Sequence, residues 1–256
     1  MRFDIISLFP EIFCKLKCNG ITKNSYLKKI WNLYTWNPRK FSSNLYGKID
    51  YRNYGFKDGL TISPEPLDKL LNIINFSKKN FLKIKKNSVR IFLSPKGKQF
   101  NNEFAYNLSK FSDITFICGR YEGLDKRLID KEIDEEISIG DFVISGGELA
   151  ALLIIESIIR LLPGVINSYN SVCIESFNKN ISGFLENNQY TKPKIWKSFN
   201  IPKVLVSGNH KKIKQFRRKE SIILTSIYRP DLIIKALLKN ELTVLEKIFI
   251  TSLVDD

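Results

Sequence analysis

Apolar residues follow two rhythms along this chain. Short, mainly apolar runs at Phe3 to Leu8, Val89 to Leu93 and Ile114 to Cys118 have the length of strands buried on both faces. Between them, Pro66 to Phe76 and Asn102 to Phe111 repeat at helical spacing. Such alternation predicts an α/β fold around a parallel sheet. A fourth short run, Phe142 to Ile144, meets Ser145-Gly146-Gly147 and reads as a further strand entering a loop. A long apolar helix pattern, Leu149 to Leu162, follows at once. It carries Glu156 and Arg160, ends at Pro163-Gly164 and falls short of the roughly 20 residues that span a bilayer, so it reads as a buried helix. Two adjacent glycines before it imply that something approaches the backbone closely.

Past residue 165 the pattern changes. Residues 166–189 are rich in Asn and Ser and lack apolar periodicity, while Pro230 to Ile248 reads as one or two amphipathic helices. The expected organisation is an α/β domain over 1–165, a flexible linker over 166–190 and a basic helical domain over 191–256.

Charge narrows the partners. The 256 residues carry a formal net charge of +15, and Lys192 to Lys219 holds ten Lys or Arg with no Asp or Glu. An excess of this size favours a polyanion, nucleic acid or an anionic membrane; codon bias toward Lys, Asn and Ile is the plainer source. Trp196, Phe199 and Phe216 interleave the basic run, as stacking on loop bases of RNA requires. Four cysteines form no CxxC pair and His210 is the only histidine, which speaks against a structural zinc site, a disulfide framework and a Ser/His/Asp or Cys/His arrangement. No signal peptide is expected, and the protein is expected in the cytoplasm.

Three loops follow strands: Ser94-Pro95-Lys96-Gly97, Gly119-Arg120-Tyr121-Glu122-Gly123 and Ser145-Gly146-Gly147. An open α/β sheet places its ligand at such ends. The chain has neither a P-loop nor a G-x-G-x-x-G at its first strand-helix junction. A pocket built from backbone groups of three loops remains.

The run GRYEGLDKRLIDKEIDEEISIGDFVISGGELAA resembles the signature of the bacterial tRNA (guanine-N1)-methyltransferases, the TrmD type of the SPOUT class. FDIISLFPEIF, Phe92 to Gly97, Ser157 to Val165 and Leu205 to His210 extend the resemblance over nearly the whole chain. It implies a SPOUT-type α/β parallel sheet with a deep C-terminal trefoil knot, followed by a small helical domain. It also implies a homodimer that binds tRNA, with no membrane or DNA partner. The implied reaction methylates N1 of guanosine at tRNA position 37, with S-adenosylmethionine as methyl donor and Mg²⁺ as a further requirement whose ligands the sequence leaves unknown. A tRNA-binding protein of the same fold, with weak or lost catalysis, is the alternative.

By that resemblance Phe92, Leu93, Pro95, Gly119, Tyr121, Gly123, Ser138, Ile139, Gly140, Ile144, Gly146 and Gly147 line the cofactor site. Arg160, which alone would read as a helix-end residue reaching solvent, is implied to stabilise charge on guanine O6. Glu175 stands where the family pattern has Asp; by itself it is a surface carboxylate, and by resemblance the general base. Glu122, Asn209 and His210 are implied on the RNA side. The acidic cluster Glu122, Asp125, Asp130, Glu132, Asp134, Glu135 and Glu136 reads either as a solvated helix face or as carboxylates able to hold Mg²⁺. Residues Gly55 to Gly59 depart from the family's Gly-rich loop, with Phe56-Lys57-Asp58 between the glycines.

Overall fold

The computed structural model describes residues 1–55, 58–81, 87–166 and 173–253. Two compact units divide the chain, Met1–Asn167 and Ser168–Asp256.

The first unit is built on five parallel strands in the order β2-β1-β6-β5-β7. They are β1 (Arg2–Ile6), β2 (Asn32–Trp36), β5 (Ser88–Gln99), β6 (Asp113–Cys118) and β7 (Glu135–Ser138), while β3 (Asp50–Arg52) and β4 (Leu60–Ile62) form a separate hairpin. Helices α1 (Gly20–Leu27), α2 (Pro64–Phe81), α3 (Asn102–Leu108), α4 (Lys126–Glu132) and α5 (Glu148–Leu161) connect and cover them.

Side-chain alternation decides the layers. Phe3 and Ile5 of β1, Ile91 and Leu93 of β5, and Ile114 and Phe116 of β6 are buried in one cluster with Ile154, Ile155 and Ile158 of α5. Their neighbours Ile6, Phe92 and Ile117 join Leu67, Leu70 and Ile74 of α2 in a second cluster. Burial on both faces explains why these strands read as nearly continuous apolar runs.

The second cluster gives way to buried charge. Asp4, wholly buried, receives Arg2 Nε at 2.6 Å, Arg2 Nη2 at 2.8 Å and Trp36 Nε1 at 2.9 Å. Lys78, from the last turns of α2, pairs with Asp113 and donates to Thr115 Oγ1 at 2.9 Å. Asp113 Oδ2 is buried without a partner among the described residues.

Two expectations change here. Phe142 to Ile144 is not a strand; Phe142 and Val143 are exposed, and the strand before the double glycine is β7, four residues earlier. Glu135 and Glu136 therefore belong to that strand rather than to a helix face. Strand β5 also meets β7 twice, Ile91–Leu93 with Glu135–Ile137 and, after residues 94–97, Lys98-Gln99 with Ile137-Ser138.

In the second unit, α6 (His210–Tyr228), α7 (Pro230–Leu238) and α8 (Val244–Ser252) enclose a small core of Phe184, Ile222, Ile233, Ala236, Leu242 and Ile250. Pro at the first position of α7 and a Thr243–Glu246 capping box on α8 start these helices. Residues 167–172 of the expected linker lie outside the described residues. Within its remainder, Phe184 is wholly buried, Leu185 N–H donates to Thr225 Oγ1 at 3.0 Å, and Arg218 Nη1 donates to Ile181 O at 2.9 Å. An exposed hairpin, β8 (Ile195–Trp196) with β9 (Phe199–Asn200), precedes α6. Its turn residues Lys197 and Ser198 both have positive φ, the conformation a two-residue hairpin turn demands.

Candidate active site

One loop interrupts β5 at residues 94–97 and two more follow β6 and β7; the three come together around glycine backbone. A Cβ on Gly147 would lie 3.0 Å from Cys118 Cα, 3.3 Å from Gly119 N and 3.3 Å from Leu93 Cβ, so all three loops converge there. Gly147 N–H donates to Gly119 O at 3.0 Å, and Arg120 bridges Gly146 in an antiparallel pair. The Phe92 ring lies under the second loop, where a Cβ on Gly119 would approach it to 2.9 Å. Ser138 Oγ faces Gly140 O and Gly140 N, each at 3.2 Å. Gly140 has φ +147, and a Cβ there would come 2.8 Å from the Phe142 ring. Ile139 and Ile144 pack partly buried against the α5-side core.

Tyr121 sits in the second loop at φ 59, left-handed for an aromatic residue, with half of its surface exposed. Such a conformation costs about 1–3 kcal/mol and persists where the surroundings enforce it. The enforcing partners are visible. Gly123 N–H donates to Arg120 O at 3.0 Å, Glu122 N–H to Leu60 O at 2.9 Å, and Ile62 N–H to Gly123 O at 3.0 Å. The second loop is thereby stitched to β4. Glu122 lies over Gly59, whose added Cβ would meet Glu122 Cγ at 2.6 Å. Phe56 and Lys57 of the departing loop lie outside the described residues, but Gly59, with φ +106, keeps the room that Glu122 occupies.

The cluster of Ser7, Arg120 and Glu148 is the part that sequence reading missed. Glu148, the first residue of α5, is 1% exposed. Its Oε1 accepts from Ser7 Oγ at 2.7 Å and its Oε2 from Arg120 Nε at 3.0 Å. The Arg120 guanidinium lies 4.6 Å over the Phe9 ring. Burial, reinforced by the Glu148 charge and opposed by Arg120, pushes the Cys118 thiol well up, so this cysteine stays protonated. An Arg beside a glycine turn and a Glu opening a helix are both ordinary in sequence, and nothing marks them as partners.

Arg160 lies in the last turn of α5, where the helix dipole favours a cation. Glu175 lies in the second unit, in a turn held by Phe177 N–H to Phe184 O at 2.8 Å and Glu186 N–H to Ser176 Oγ at 2.9 Å. Asn209 caps α6, accepting from Lys212 N–H at 3.1 Å, and His210, the first residue of that helix, is exposed.

The acidic cluster does not converge. Asp125 caps α4 and binds Arg127, whose hydrogen bond holds the carboxyl below its usual range. Asp130 pairs with Lys126, Glu132 with Arg90 and Glu135 with Lys98. No group of three or more His, Cys, Asp or Glu side chains able to hold a metal forms among the described residues. Of the two readings of this cluster, the one as Mg²⁺ ligands finds no converging set there, and basic side chains occupy Asp125, Asp130, Glu132 and Glu135. No helix among the described residues is long and apolar enough to cross a membrane.

Comparison with known proteins adds the relationship. The family model described as tRNA (Guanine-1)-methyltransferase TrmD matches residues 1–235. A tRNA (guanine-N(1)-)-methyltransferase of Buchnera aphidicola subsp. Schizaphis graminum is 41% identical over 251 residues, covering 98% of this chain and 90% of the relative. One from Buchnera aphidicola subsp. Acyrthosiphon pisum is 44% identical over 91% of this chain and 94% of its own. Another of that name, from Bordetella pertussis, is 36% identical over 99% and 98%.

Proposed function

The chain belongs to the TrmD family of tRNA (guanine-1)-methyltransferases, and on that premise we propose that it methylates N1 of the guanosine at tRNA position 37, just 3′ of the anticodon, using S-adenosylmethionine. The observation that carries the reading is the meeting of three loops around Gly119 and Gly147 at the C-terminal end of a parallel sheet. A pocket walled by backbone there suits a small donor recognised through hydrogen-bonding edges rather than phosphates. The alternative, a tRNA-binding protein without useful catalysis, finds no support in relatives that are each named methyltransferases.

When bound, S-adenosylmethionine supplies an electrophilic methyl group. The chain's own residues do the rest. Phe92, Leu93 and Pro95 of the first loop, Gly119, Tyr121 and Gly123 of the second, and Ser138, Ile139, Gly140, Ile144 and Gly147 of the third hold the donor in one orientation, with Gly146 in the same loop. Glu122 and the basic second unit orient the tRNA, where exposed Trp196 and Phe199 of the hairpin offer stacking faces beside Lys194 and Lys197. Glu175 takes the N1 proton, and Arg160 offsets the negative charge that then develops on O6. The fold resemblance extends to a trefoil knot, a reading supported by the double pairing of β5 with β7. It also extends to a homodimer, supported by the exposed apolar side chains Ile21, Phe142, Val143, Leu149 and Leu153 on and near α5. A tRNA-modifying enzyme of this kind works in the cytoplasm. Mg²⁺ enters no step here, since the described carboxylates do not fit it.

The test is transfer from labelled S-adenosylmethionine to a transcript with guanosine at position 37, beside one with adenosine there. Transfer to guanosine alone, lowered at least ~100-fold by Glu175→Gln with tRNA affinity held within about twofold, is expected. Methylation of both transcripts, or no transfer despite binding of donor and tRNA, overturns it.

A further inference from the structure

Gly146 marks the point of departure. A Cβ there would lie 2.2 Å from Arg120 Nε, 2.6 Å from Arg120 Cδ and 2.5 Å from Glu148 Oε2. All three nearest atoms belong to one ion pair. The glycine therefore makes room for a protein contact, and the close approach implied by its sequence context is met from inside the molecule.

We infer that Arg120, Glu148 and Ser7 are positioning residues that fasten the second and third loops to the end of β1, and so set the geometry of the methyl-donor site. This rests on the donor lying among the three loops, as proposed above. The connections are direct. Ser7, 1% exposed, directly follows β1, and its Oγ accepts from Phe9 N–H at 2.9 Å while donating to Glu148. Glu148 opens α5, so its carboxylate is fixed by the helix that packs on one face of the sheet. Arg120 reaches it across Gly146, and its Nη1 donates to Ser145 O at 3.3 Å. Tyr121, the next residue, holds the left-handed conformation that aims the second loop. One carboxylate thus joins three segments remote in sequence; losing Arg120 leaves Glu148 buried and uncompensated, and losing Glu148 leaves the half-buried Arg120 without its partner.

The consequence is a selective defect in donor binding. The Glu148→Gln side chain keeps the volume and can still donate to Ser7 Oγ and accept from Arg120, but lacks the charge. The donor's Kd and KM are expected to rise about tenfold, within the range for loss of a charge-assisted hydrogen bond. The KM for tRNA and the kcat at saturating donor should stay within about twofold. Ser7→Ala, which leaves the ion pair in place, should shift donor Kd in the same direction by less, and it serves if Glu148→Gln folds poorly.

The role of Gly146 gives a reading that general destabilisation does not imitate. Gly146→Ala in the parent should weaken donor binding about as much as Glu148→Gln does. Added to an Arg120→Ala/Glu148→Ala background, where neither side chain fills the space, it should cost less than a further twofold. Calorimetric titration of S-adenosylmethionine into the full-length chain and its variants decides. A second full loss from Gly146→Ala in that background would mean that the glycine serves the donor directly, and would overturn the inference. So would a parent-like donor Kd in Glu148→Gln. A parent chain that binds tRNA but no donor would instead refute the underlying placement of the cofactor.

Discussion

Removing the Phe184 ring tests how the packing of the second unit governs the turn that carries Glu175. Phe184 is wholly buried in a small core, six buried side chains among the described residues, with the Arg218 guanidinium 4.9 Å over its face. A phenyl side chain buries about 150–250 Å², worth roughly 4–6 kcal/mol at about 25 cal/mol per Å². Reference to a compact unfolded state lowers that figure, and large-to-small substitutions at such sites cost about 3–5 kcal/mol. A unit of this size has about 5–10 kcal/mol in total, so Phe184→Ala removes about half. The backbone of Phe184 also accepts from Phe177 N–H at 2.8 Å, two residues past Glu175. Loosening that turn by about 1 Å lowers the rate by about 100-fold if Glu175 is the base. Hydrogen exchange read by mass spectrometry, segment by segment, should show protection falling by about 3–5 kcal/mol in α6, α7 and α8 and unchanged in β1, β5 and β6. Methyl transfer should fall with it, and S-adenosylmethionine affinity should stay within about twofold. Phe184→Leu, nearer in volume, should cost about 1–1.5 kcal/mol. Parent-level turnover by a folded Phe184→Ala chain would refute the coupling between this core and Glu175.

Replacing Lys78 by Met strands Asp113 beside its already unpartnered Oδ2, and urea denaturation should report a loss of about 3–5 kcal/mol. Adding Asp113→Leu should restore much of it. Thr243→Ala removes the α8 cap and should cost about 1 kcal/mol at pH 7 in thermal melts. Burial pushes the Glu246 carboxyl up, but hydrogen bonds from Thr243 and Arg218 outweigh this and hold it below its ordinary 4.5. The gap between the parent and Glu246→Gln should therefore be full above pH 4.5 and close as pH falls through the lower folded value. In the basic unit, Lys214→Gln should reduce the slope of log affinity for tRNA against log salt by roughly 0.7–0.9 if it contacts a phosphate. Trp196→Ala should leave that slope alone and weaken binding by about 1–3 kcal/mol, as loss of base stacking does.

The layered plan was legible because β1, β5 and β6 are buried on both faces and therefore read as apolar runs. Strand β7 was hidden by Glu135 and Glu136, half-buried residues whose charges suggested a helix face, although Glu135 pairs with Lys98. The β8–β9 hairpin was hidden by a Lys-Ser turn with no glycine or asparagine to announce it. At the site, the glycines were legible as close approaches, but sequence does not say what approaches. For Gly146 it is the Arg120–Glu148 pair, whose members stand 28 residues apart. Phe184 escaped notice in an Asn- and Ser-rich segment because a single aromatic has no period.

The two meetings of β5 with β7 also constrain the order of events as the chain emerges from the ribosome. Lys98 and Gln99 find their partners only at Ile137 and Ser138, and Gly97 lies so near the Glu136–Ile137 backbone that a Cβ would approach it to 2.3 Å. The segment from Ser94 to Gly97 thus takes its shape from residues made about forty positions later. A nascent chain stopped before β7 has the parts of β1, β2 and β6 in hand but no template for its first loop. Completion of the three-loop cluster then waits on the arrival of one four-residue edge strand.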